Sequence, residues 1–294
     1  MISFLLKIRR KDEVLSLIPD QFSQVSWMIW ALCFGLMVVN WGLETWKWRI
    51  LSQDVAKAGF GQQFKAVLAG MAISTLIPNR MAEYIGRVWF VPKTHRWKAG
   101  GRSVVGGLMQ MSITLWMGLM AAVVLTETDE LNPHLELDSM LMWCGFITLT
   151  LLALALVVSF SFRWIKSKFQ WKWLGYFEGV SPQKINAIWM LSLARYLVFS
   201  LQFLLVYRAL VPEKGLFDDF PELAAMFLGQ SIIPIPAVLD WTARFEMAQV
   251  FSGSECESAA ATASLVLWLV NLMIPALVGI ILFFFHQPIE EKHE

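Results

Sequence analysis

Two stretches of the sequence carry a proline that is followed by a carboxylic acid and, four residues after the acid, by an arginine. These residues are Pro78, Glu83 and Arg87 in the first stretch and Pro236, Asp240 and Arg244 in the second. An acid and an arginine at this spacing lie on one face of a helix and can pair, and a guanidinium also offers a two-pronged donor to phosphate or carboxylate. The pattern predicts a site for an anionic group. The alternative is a set of ordinary salt bridges, worth about 0.3–0.5 kcal/mol each.

Both prolines lie where a helix must break. Proline has no backbone N–H, so it frees carbonyl groups that need other partners. Pro78 lies at the end of the uncharged window Ala66–Asn79, and Pro236 lies in the window Leu223–Leu239. Both windows are shorter than the roughly 20 residues that cross a bilayer. Segments of this length favour a broken or re-entrant helix.

The elements around these stretches are apolar enough for a membrane. Of the 294 residues, 57% are hydrophobic and 16% are charged, whereas soluble domains have about 25% charged residues. A formal net charge of +1 gives no electrostatic reason to expect nucleic acid as a partner. Five long windows, uncharged except for Arg195 in the last, are predicted to span the bilayer. They are Val25–Leu43, Ser103–Thr126, Ser139–Phe162, Ser258–Ile289 and Ile185–Tyr207.

The windows follow the order long, short with proline, long, and this order occurs twice, with Ser139–Phe162 between. Proline-interrupted segments at matching places in two halves point to the central site of a transporter. The sequence therefore predicts an all-α, polytopic helical membrane protein. We expect about five full transmembrane helices plus two proline-broken or re-entrant segments in a pseudo-repeat. An N-terminal interfacial segment over residues 1–24 precedes a single transmembrane domain over residues 25–289 and a short tail over residues 290–294.

Positive charges set the orientation of the middle of the chain. Lys and Arg favour the cytoplasmic side, so the basic segments Arg80–Arg102 and Arg163–Lys184 are predicted inside and the acidic segment Glu127–Asp138 outside. The balance of Lys and Arg is the same whether both short segments cross the bilayer or both re-enter on their own side. We expect a multi-pass membrane protein with these two basic segments on the cytoplasmic side.

Arg195 is a third sign of a polar interior. An arginine at the centre of a membrane helix costs about 2.5–3.5 kcal/mol on insertion scales, so we expect it to face the bundle interior or a water-filled cavity and to join the candidate site. The alternative is a structural pair with a carboxylate such as Asp240. Gln110 and Gln230 are expected to form hydrogen bonds between helices.

The first stretch resembles a known family. Residues 78–83 (Pro-Asn-Arg-Met-Ala-Glu), with Arg87 after them, are similar to a signature of the lysylphosphatidylglycerol synthase transmembrane-region family, also called the flippase-like domain. Pro236 with Asp240 and Arg244 is similar to its second, C-terminal signature. Ala82 stands where glycine is usual. The resemblance covers about residues 25–285 and implies lipid handling or translocation by a stand-alone member without the aminoacyl-transferase domain; it does not imply lysyl transfer.

The leading hypothesis is an integral membrane protein that binds or translocates a phospholipid or related anionic lipid. The candidate substrate-binding residues are Pro78, Asn79, Arg80, Glu83, Arg87, Arg195, Pro236, Asp240 and Arg244. Of these, Arg80, Arg87 and Arg244 are expected to contact the headgroup phosphate. The two acids of the motif are expected to orient the arginines or to carry a proton.

Motifs of soluble catalysis are missing from the sequence. The four histidines have no zinc-ligand spacing, and neither a Walker A sequence nor a G-x-S-x-G elbow occurs. We therefore expect no catalytic residue, no metal and no cofactor, with membrane lipids as the partners. Two other classes stay open. One is an intramembrane enzyme that uses Glu83 or Asp240 as general acid or base on a lipid-linked substrate, and the other is a non-transporting scaffold subunit for a membrane or cytoplasmic enzyme.

Overall fold

The computed structural model describes residues 16–56, 58–76, 81–127, 181–213, 215–232, 240–251 and 256–285. Over these ranges the chain is helical and has no strand, which confirms the all-α class. Four helical stretches are long and apolar enough to cross a membrane: Trp27–Ser52, Lys93–Leu125, Pro182–Leu210 and Glu257–Phe284. They correspond to four of the five predicted windows. The remaining window, Ser139–Phe162, lies outside the described residues.

The described helices are numbered in chain order. They are α1 (16–24), α2 (Trp27–Ser52), α3 (Phe60–Leu76), α4 (Met81–Trp89), α5 (Arg96–Glu127), α6 (Pro182–Leu210), α7 (Phe220–Ile232), α8 (Asp240–Phe251), α9 (Glu257–Trp268) and α10 (Ile274–Phe284). A 3-10 turn at Lys93–His95 leads into α5. A π-helical segment, Leu269–Met273, joins α9 to α10 in one continuous helix. Pro275 follows this segment and removes a backbone donor, which favours the local change of hydrogen-bond pattern.

Helix α2 continues past Leu43, where the uncharged window ends, to Ser52. The added turns contain Glu44 and Lys47, whose charged groups are buried and lie 2.7 Å apart. These two charges end the apolar window in the sequence but not the helix, because they face inward and compensate each other.

Helices α2 and α6 are antiparallel. Three contacts along their length pair residues in reverse order: Cys33 with Gln202, Asn40 with Arg195, and Asp54 with Lys184. The bundle therefore has two ends. We call the end where α2 stops and α6 starts the Asp54 end, and the end where α6 stops the Tyr207 end.

A charged clamp holds three helices together at the Asp54 end. Arg102 of α5 donates to the carbonyl oxygen of Leu51 at 2.9 Å and to the Asp54 carboxylate at 3.3 Å. Lys184 of α6 donates to the same carboxylate at 3.0 Å. Partial burial raises the pKa of the Asp54 carboxyl, but the hydrogen bond and charge of Lys184, together with Arg102, outweigh it and hold that pKa below its usual value. The end of α2 and the starts of α5 and α6 therefore lie together.

Helices α3 and α4 form the first of two helical hairpins. Helix α3 starts at the Asp54 end, where Gln63 lies 3.3 Å from Ser52 of α2. Helix α4 runs back along α3, since Phe90, directly after α4, packs with Ala66 near the start of α3. Because α5 also starts at this end, the first short segment enters the bundle and returns on the same side.

Two glycines let the first hairpin close. A Cβ on Gly86 of α4 would overlap the Cα of Gly70 and lie 2.8 Å from the Ala69 carbonyl oxygen. The two backbones are therefore in direct contact, as small residues allow in membrane helix pairs.

Gly86→Ala is expected to lower the free energy of unfolding by about 1–3 kcal/mol, because the added methyl group overpacks a backbone contact. Gly61→Ala, in α3, is the matched control, since no atom lies within 4 Å of a Cβ at that position. Thermal unfolding in detergent measures the difference. An equal loss for both substitutions would contradict the close contact of α3 and α4.

Helices α7 and α8 form the second hairpin. Asp219, directly before α7, pairs with Arg208 at the end of α6, so α7 starts at the Tyr207 end. Helix α9 starts there too, because Ser258 near its start accepts a hydrogen bond from Gln21, which lies just before the start of α2. Helices α7 and α8 pack against each other and α8 packs against α9, so α7 and α8 form a pair that belongs to that end.

The two halves of the chain are inverted relative to each other. The first half runs from α2 through the α3–α4 hairpin to α5, and the second from α6 through the α7–α8 hairpin to the continuous α9–α10 helix. The second half ends at the Asp54 end, where Phe283 packs with Ala66 and Phe90. The hairpins therefore enter from opposite ends, which gives the predicted pseudo-repeat the geometry of an inverted repeat.

Helix α1 packs on the second half. Gln21 donates to the hydroxyl oxygen of Ser258 at 2.8 Å and accepts from the hydroxyl of Thr262 at 2.6 Å. Ile18 shares an apolar cluster with Phe245 of α8. The described part of the predicted interfacial segment is thus a short helix that lies against α8 and α9 at the Tyr207 end.

Candidate functional site

Glu44 lies at the centre of a buried group of charges. Its carboxylate is 2.7 Å from the Lys47 ammonium and 2.8 Å from a guanidinium nitrogen of Arg87, and it also accepts from Arg195. The Glu44 side chain is only 4% exposed. One carboxylate from α2 therefore joins cations from α2, the first hairpin and α6. We call Glu44, Lys47, Glu83, Arg87 and Arg195 the ion cluster.

The first hairpin places Arg87 in this cluster. The second terminal nitrogen of its guanidinium pairs with Glu83, one turn earlier in α4, as the spacing in the sequence predicts. Gly70 of α3 makes room, because its missing Cβ would lie 3.0 Å from the Arg87 Cγ. The Arg87 side chain is 3% exposed, whereas that of Glu83 is 22% exposed. Glu83 therefore marks the more open side of the cluster.

Amide side chains extend the cluster to two further helices. Arg195 donates to Asn40 at 2.8 Å, and Asn40 donates to Asn271 at 3.2 Å. Lys47 donates to Gln110 of α5 at 3.4 Å, and Gln110 donates to the carbonyl oxygen of Ser192 at 3.3 Å. The π-helical segment contains Asn271, so a local break in helical regularity holds one of the amides that contact the cluster, a frequent feature of functional sites.

The cluster has more cations than anions. With every group ionised, Lys47, Arg87 and Arg195 carry three positive charges, against two negative charges on Glu44 and Glu83. Two tryptophan rings contribute their negative faces, because the Trp48 ring centroid is 5.9 Å from the Arg87 guanidinium and the Trp41 centroid is 5.6 Å from that of Arg195. In the part of the chain that the structure describes, one positive charge of the cluster nevertheless has no compensating anion.

Hydrogen-bond donors are also in surplus. Four buried donor groups at the cluster have no acceptor among the described residues: the Arg87 Nε, the Trp41 and Trp48 indole nitrogens and the Asn271 Nδ2. The side-chain amide oxygens of Asn40, Gln110 and Asn271 are already bonded, as are both carboxylate oxygens of Glu44. Buried polar groups normally have partners. A ligand with negative charge and acceptor oxygens would compensate the excess positive charge and accept hydrogen bonds from the unpaired donors.

The second hairpin presents a separate pair. Arg244 donates to Asp240 at 2.6 Å, and its guanidinium lies 5.3 Å from the centroid of the Phe199 ring on α6. Phe199 is one turn from Arg195 on that helix. The two halves therefore bring their motif arginines to neighbouring turns of α6, although no ion pair joins the two pairs among the described residues.

The structure brings together three of the predicted site residues in one cluster: Glu83, Arg87 and Arg195. Asp240 and Arg244 form their own pair next to it, and the remaining four, Pro78, Asn79, Arg80 and Pro236, lie outside the described residues. The suggested pairing of Arg195 with Asp240 is wrong, because its carboxylate partner is Glu44. Sequence reasoning missed Lys47 and the central role of Glu44. The signal that the sequence offers for both is an acid and a lysine three residues apart, directly after an apolar window.

The described residues contain no group of histidine, cysteine and acidic side chains arranged to hold a metal ion. Cys33 and Cys256 are free thiols.

Fold and site define the class: an all-α membrane protein whose interior holds an ion cluster between two inverted halves. No family model, no curated protein and no solved structure matches this chain. The assignment to the flippase-like family therefore stays a prediction from the two motifs.

Proposed function

We propose that the protein is a multi-pass protein of the bacterial cytoplasmic membrane that binds or translocates a phospholipid or related anionic lipid, as a flippase-like protein. The observation that carries the proposal is the ion cluster: a net positive charge and four unfilled donors, buried where apolar helices surround them. An ionised group in this setting normally marks a substrate or ion pathway. Anionic headgroups supply both the charge and the acceptors that the cluster lacks.

The inverted hairpins give such a protein two gates. Arg87 lies on a hairpin that enters from the Asp54 end, and Arg244 lies on one that enters from the Tyr207 end. In transporters built from inverted repeats, the two repeats move against each other around a site near the midplane. A headgroup bound at Arg87 on one side of the membrane would be released past Arg244 on the other, with the acyl chains remaining in the bilayer.

We infer a membrane orientation from the positions of the basic residues. Arg102 and Lys184 lie at the Asp54 end, so this end is assigned to the cytoplasm, where Lys and Arg are enriched. Both short segments are then re-entrant, and α1 lies outside.

Cysteine labelling tests this orientation. In a chain whose native cysteines have been replaced, Gln53→Cys and Lys93→Cys are expected to react from the cytoplasmic side and Glu213→Cys from the opposite side; all three positions are exposed. A membrane-impermeant maleimide, applied to whole cells and to inverted vesicles, gives the measurement. Labelling of positions 53 and 93 from opposite sides would mean that the first short segment crosses the bilayer.

Lipid transfer is measured with the purified protein in proteoliposomes that contain a fluorescent phosphatidylglycerol in both leaflets. Dithionite, added outside, bleaches only the outer leaflet, so in protein-free vesicles about half of the signal survives. We expect the protein to expose the inner half. A chemically altered lipid would instead favour the intramembrane enzyme. No transfer together with stable co-purification of an enzyme would favour the scaffold.

A further inference from the structure

We infer that the ion cluster selects a headgroup with a single negative charge, a phosphodiester, over dianionic phosphomonoesters and over zwitterionic headgroups. This rests on the proposed function, because it names the chemical class of the ligand for the same site. Three features of the described residues lead to it: the charge count, the identity of the unfilled hydrogen-bonding groups, and the difference in exposure between Arg87 and Glu83.

The charges of the described residues indicate the ligand's charge. Among these residues the cluster has one cation in excess, and the Asp240–Arg244 pair next to it is neutral. Charge that is left uncompensated among apolar helices is costly. A monoanion brings the total to zero, whereas a dianion would leave one negative charge and a zwitterion would leave the original positive charge in place.

The unfilled groups favour an acceptor over an ammonium headgroup on separate grounds. Four of the unpartnered polar atoms near the cluster, on Arg87, Trp41, Trp48 and Asn271, can only donate, and a fifth, the Ser192 hydroxyl, can donate or accept. A phosphodiester brings two non-bridging oxygens that accept from such donors. A primary ammonium group would add three more donors to a cluster whose amide and Glu44 oxygens already have partners.

The exposure of Glu83 shows where the headgroup would be held. Glu83 is 22% exposed and pairs with Arg87, which is 3% exposed. A phosphate that approaches from the open side meets Glu83 first and then the Nε of Arg87, which has no other acceptor. Glu83 therefore contributes a negative charge at the open side of the cluster. Glu44, in contrast, holds the centre of the cluster together.

Two isosteric variants change the charge count by one in opposite directions. Glu83→Gln raises the cluster to two excess cations, and Lys47→Met lowers it to none. The probes are short-chain phosphatidylglycerol, phosphatidic acid at pH 8 and phosphatidylethanolamine, which carry one negative charge, two negative charges and no net charge. Binding is measured by calorimetric titration in detergent, and each variant is first checked by thermal unfolding.

We expect the wild-type protein to bind phosphatidylglycerol about tenfold more tightly than either other lipid. Glu83→Gln is expected to shift the preference toward phosphatidic acid by a similar factor. Lys47→Met is expected to lose its affinity for phosphatidylglycerol. An unchanged order of the three lipids in Glu83→Gln would overturn the inference. This variant alone decides the question if Lys47→Met does not fold, because Glu83 is the least buried member of the cluster.

A water-soluble headgroup separates this inference from the proposed function. If glycerophosphoglycerol binds as tightly as the short-chain lipid and no lipid is transferred in vesicles, the charge selection stands and lipid translocation does not. If vesicles show transfer of all three lipids at equal rates, translocation stands and the charge selection fails.

Discussion

Replacement of Glu44 by glutamine is expected to lower the free energy of unfolding by about 3–5 kcal/mol, the range found when one partner of a buried ion pair is removed. The substitution keeps the shape of the side chain and removes only its charge. It leaves Lys47, Arg87 and Arg195 facing a neutral amide, with Glu83 as the remaining anion of the cluster. Two uncompensated cations then lie among apolar helices.

Asp54→Asn is the matched control for this prediction. Asp54 also has two cationic partners, Arg102 and Lys184, but its side chain is 41% exposed, against 4% for Glu44. Exposed pairs contribute about 0–1 kcal/mol. Unfolding in detergent, followed by circular dichroism, compares the two variants. A similar small loss in both would mean that water reaches Glu44 and that the ion cluster is not a desolvated site.

The class of protein was predictable because it depends on composition along the chain. The uncharged windows correctly predicted α2, α5, α6 and the α9–α10 helix, because a helix that faces lipid must lack unpaired charges. The same rule misplaced the end of α2, because it treats every charge as lying outside the membrane. Glu44 and Lys47 break this rule because they pair inside the bundle. Another partner of Glu44, Arg195, is 151 residues away in the sequence, so this contact could not be predicted from neighbouring residues.

The course of the short segments needed three-dimensional contacts. Lys and Arg balance equally in the crossing and the re-entrant topologies, so charge counting gave no preference. Contacts at the ends of neighbouring helices favour the re-entrant course of the first short segment. Gln63 in the first turn of α3 contacts Ser52 at the end of α2, and Arg102 in the early part of α5 contacts Leu51 of the same helix end. The glycine pair that closes the first hairpin has no sequence signature of its own, because Gly70 and Gly86 lie on different helices and only the fold brings them together.

The two acid–arginine pairs look equivalent in the sequence but differ in the structure. Arg87 meets a carboxylate on α2, the first helix of its half, whereas Arg244 meets the Phe199 ring on α6, the first helix of the other half. The motif determines the pair itself, while the residue on the facing helix determines its surroundings. The site is therefore asymmetric: the four cluster charges of the first half sum to zero, and Arg195 of α6 supplies the excess positive charge.

Arg87→Gln is expected to reduce lipid transfer by a factor of about 30 or more, because it removes the guanidinium whose Nε has no acceptor and truncation of a buried charged partner costs about 2–5 kcal/mol of binding. It also makes the cluster neutral, with Lys47 and Arg195 against Glu44 and Glu83, so the variant is expected to lose less stability than Glu44→Gln, which leaves two cations uncompensated. Transfer is therefore compared at equal amounts of folded protein, and loss of transfer by the folded variant separates a binding role from a structural one.

Three further substitutions serve as controls for the Arg87→Gln result. Arg49→Gln removes an arginine from an exposed groove on α2 and should leave transfer unchanged. Arg87→Lys keeps the charge without the two-pronged donor, so partial activity is expected if charge compensation dominates and none if the fork is required. Arg244→Gln tests the second gate, since an anion released past the second hairpin needs that arginine even though the ion cluster is intact. Full transfer in both Arg87→Gln and Arg244→Gln would show that the motif arginines do not handle the headgroup, and the inverted hairpins would then be a scaffold around a structural charge cluster.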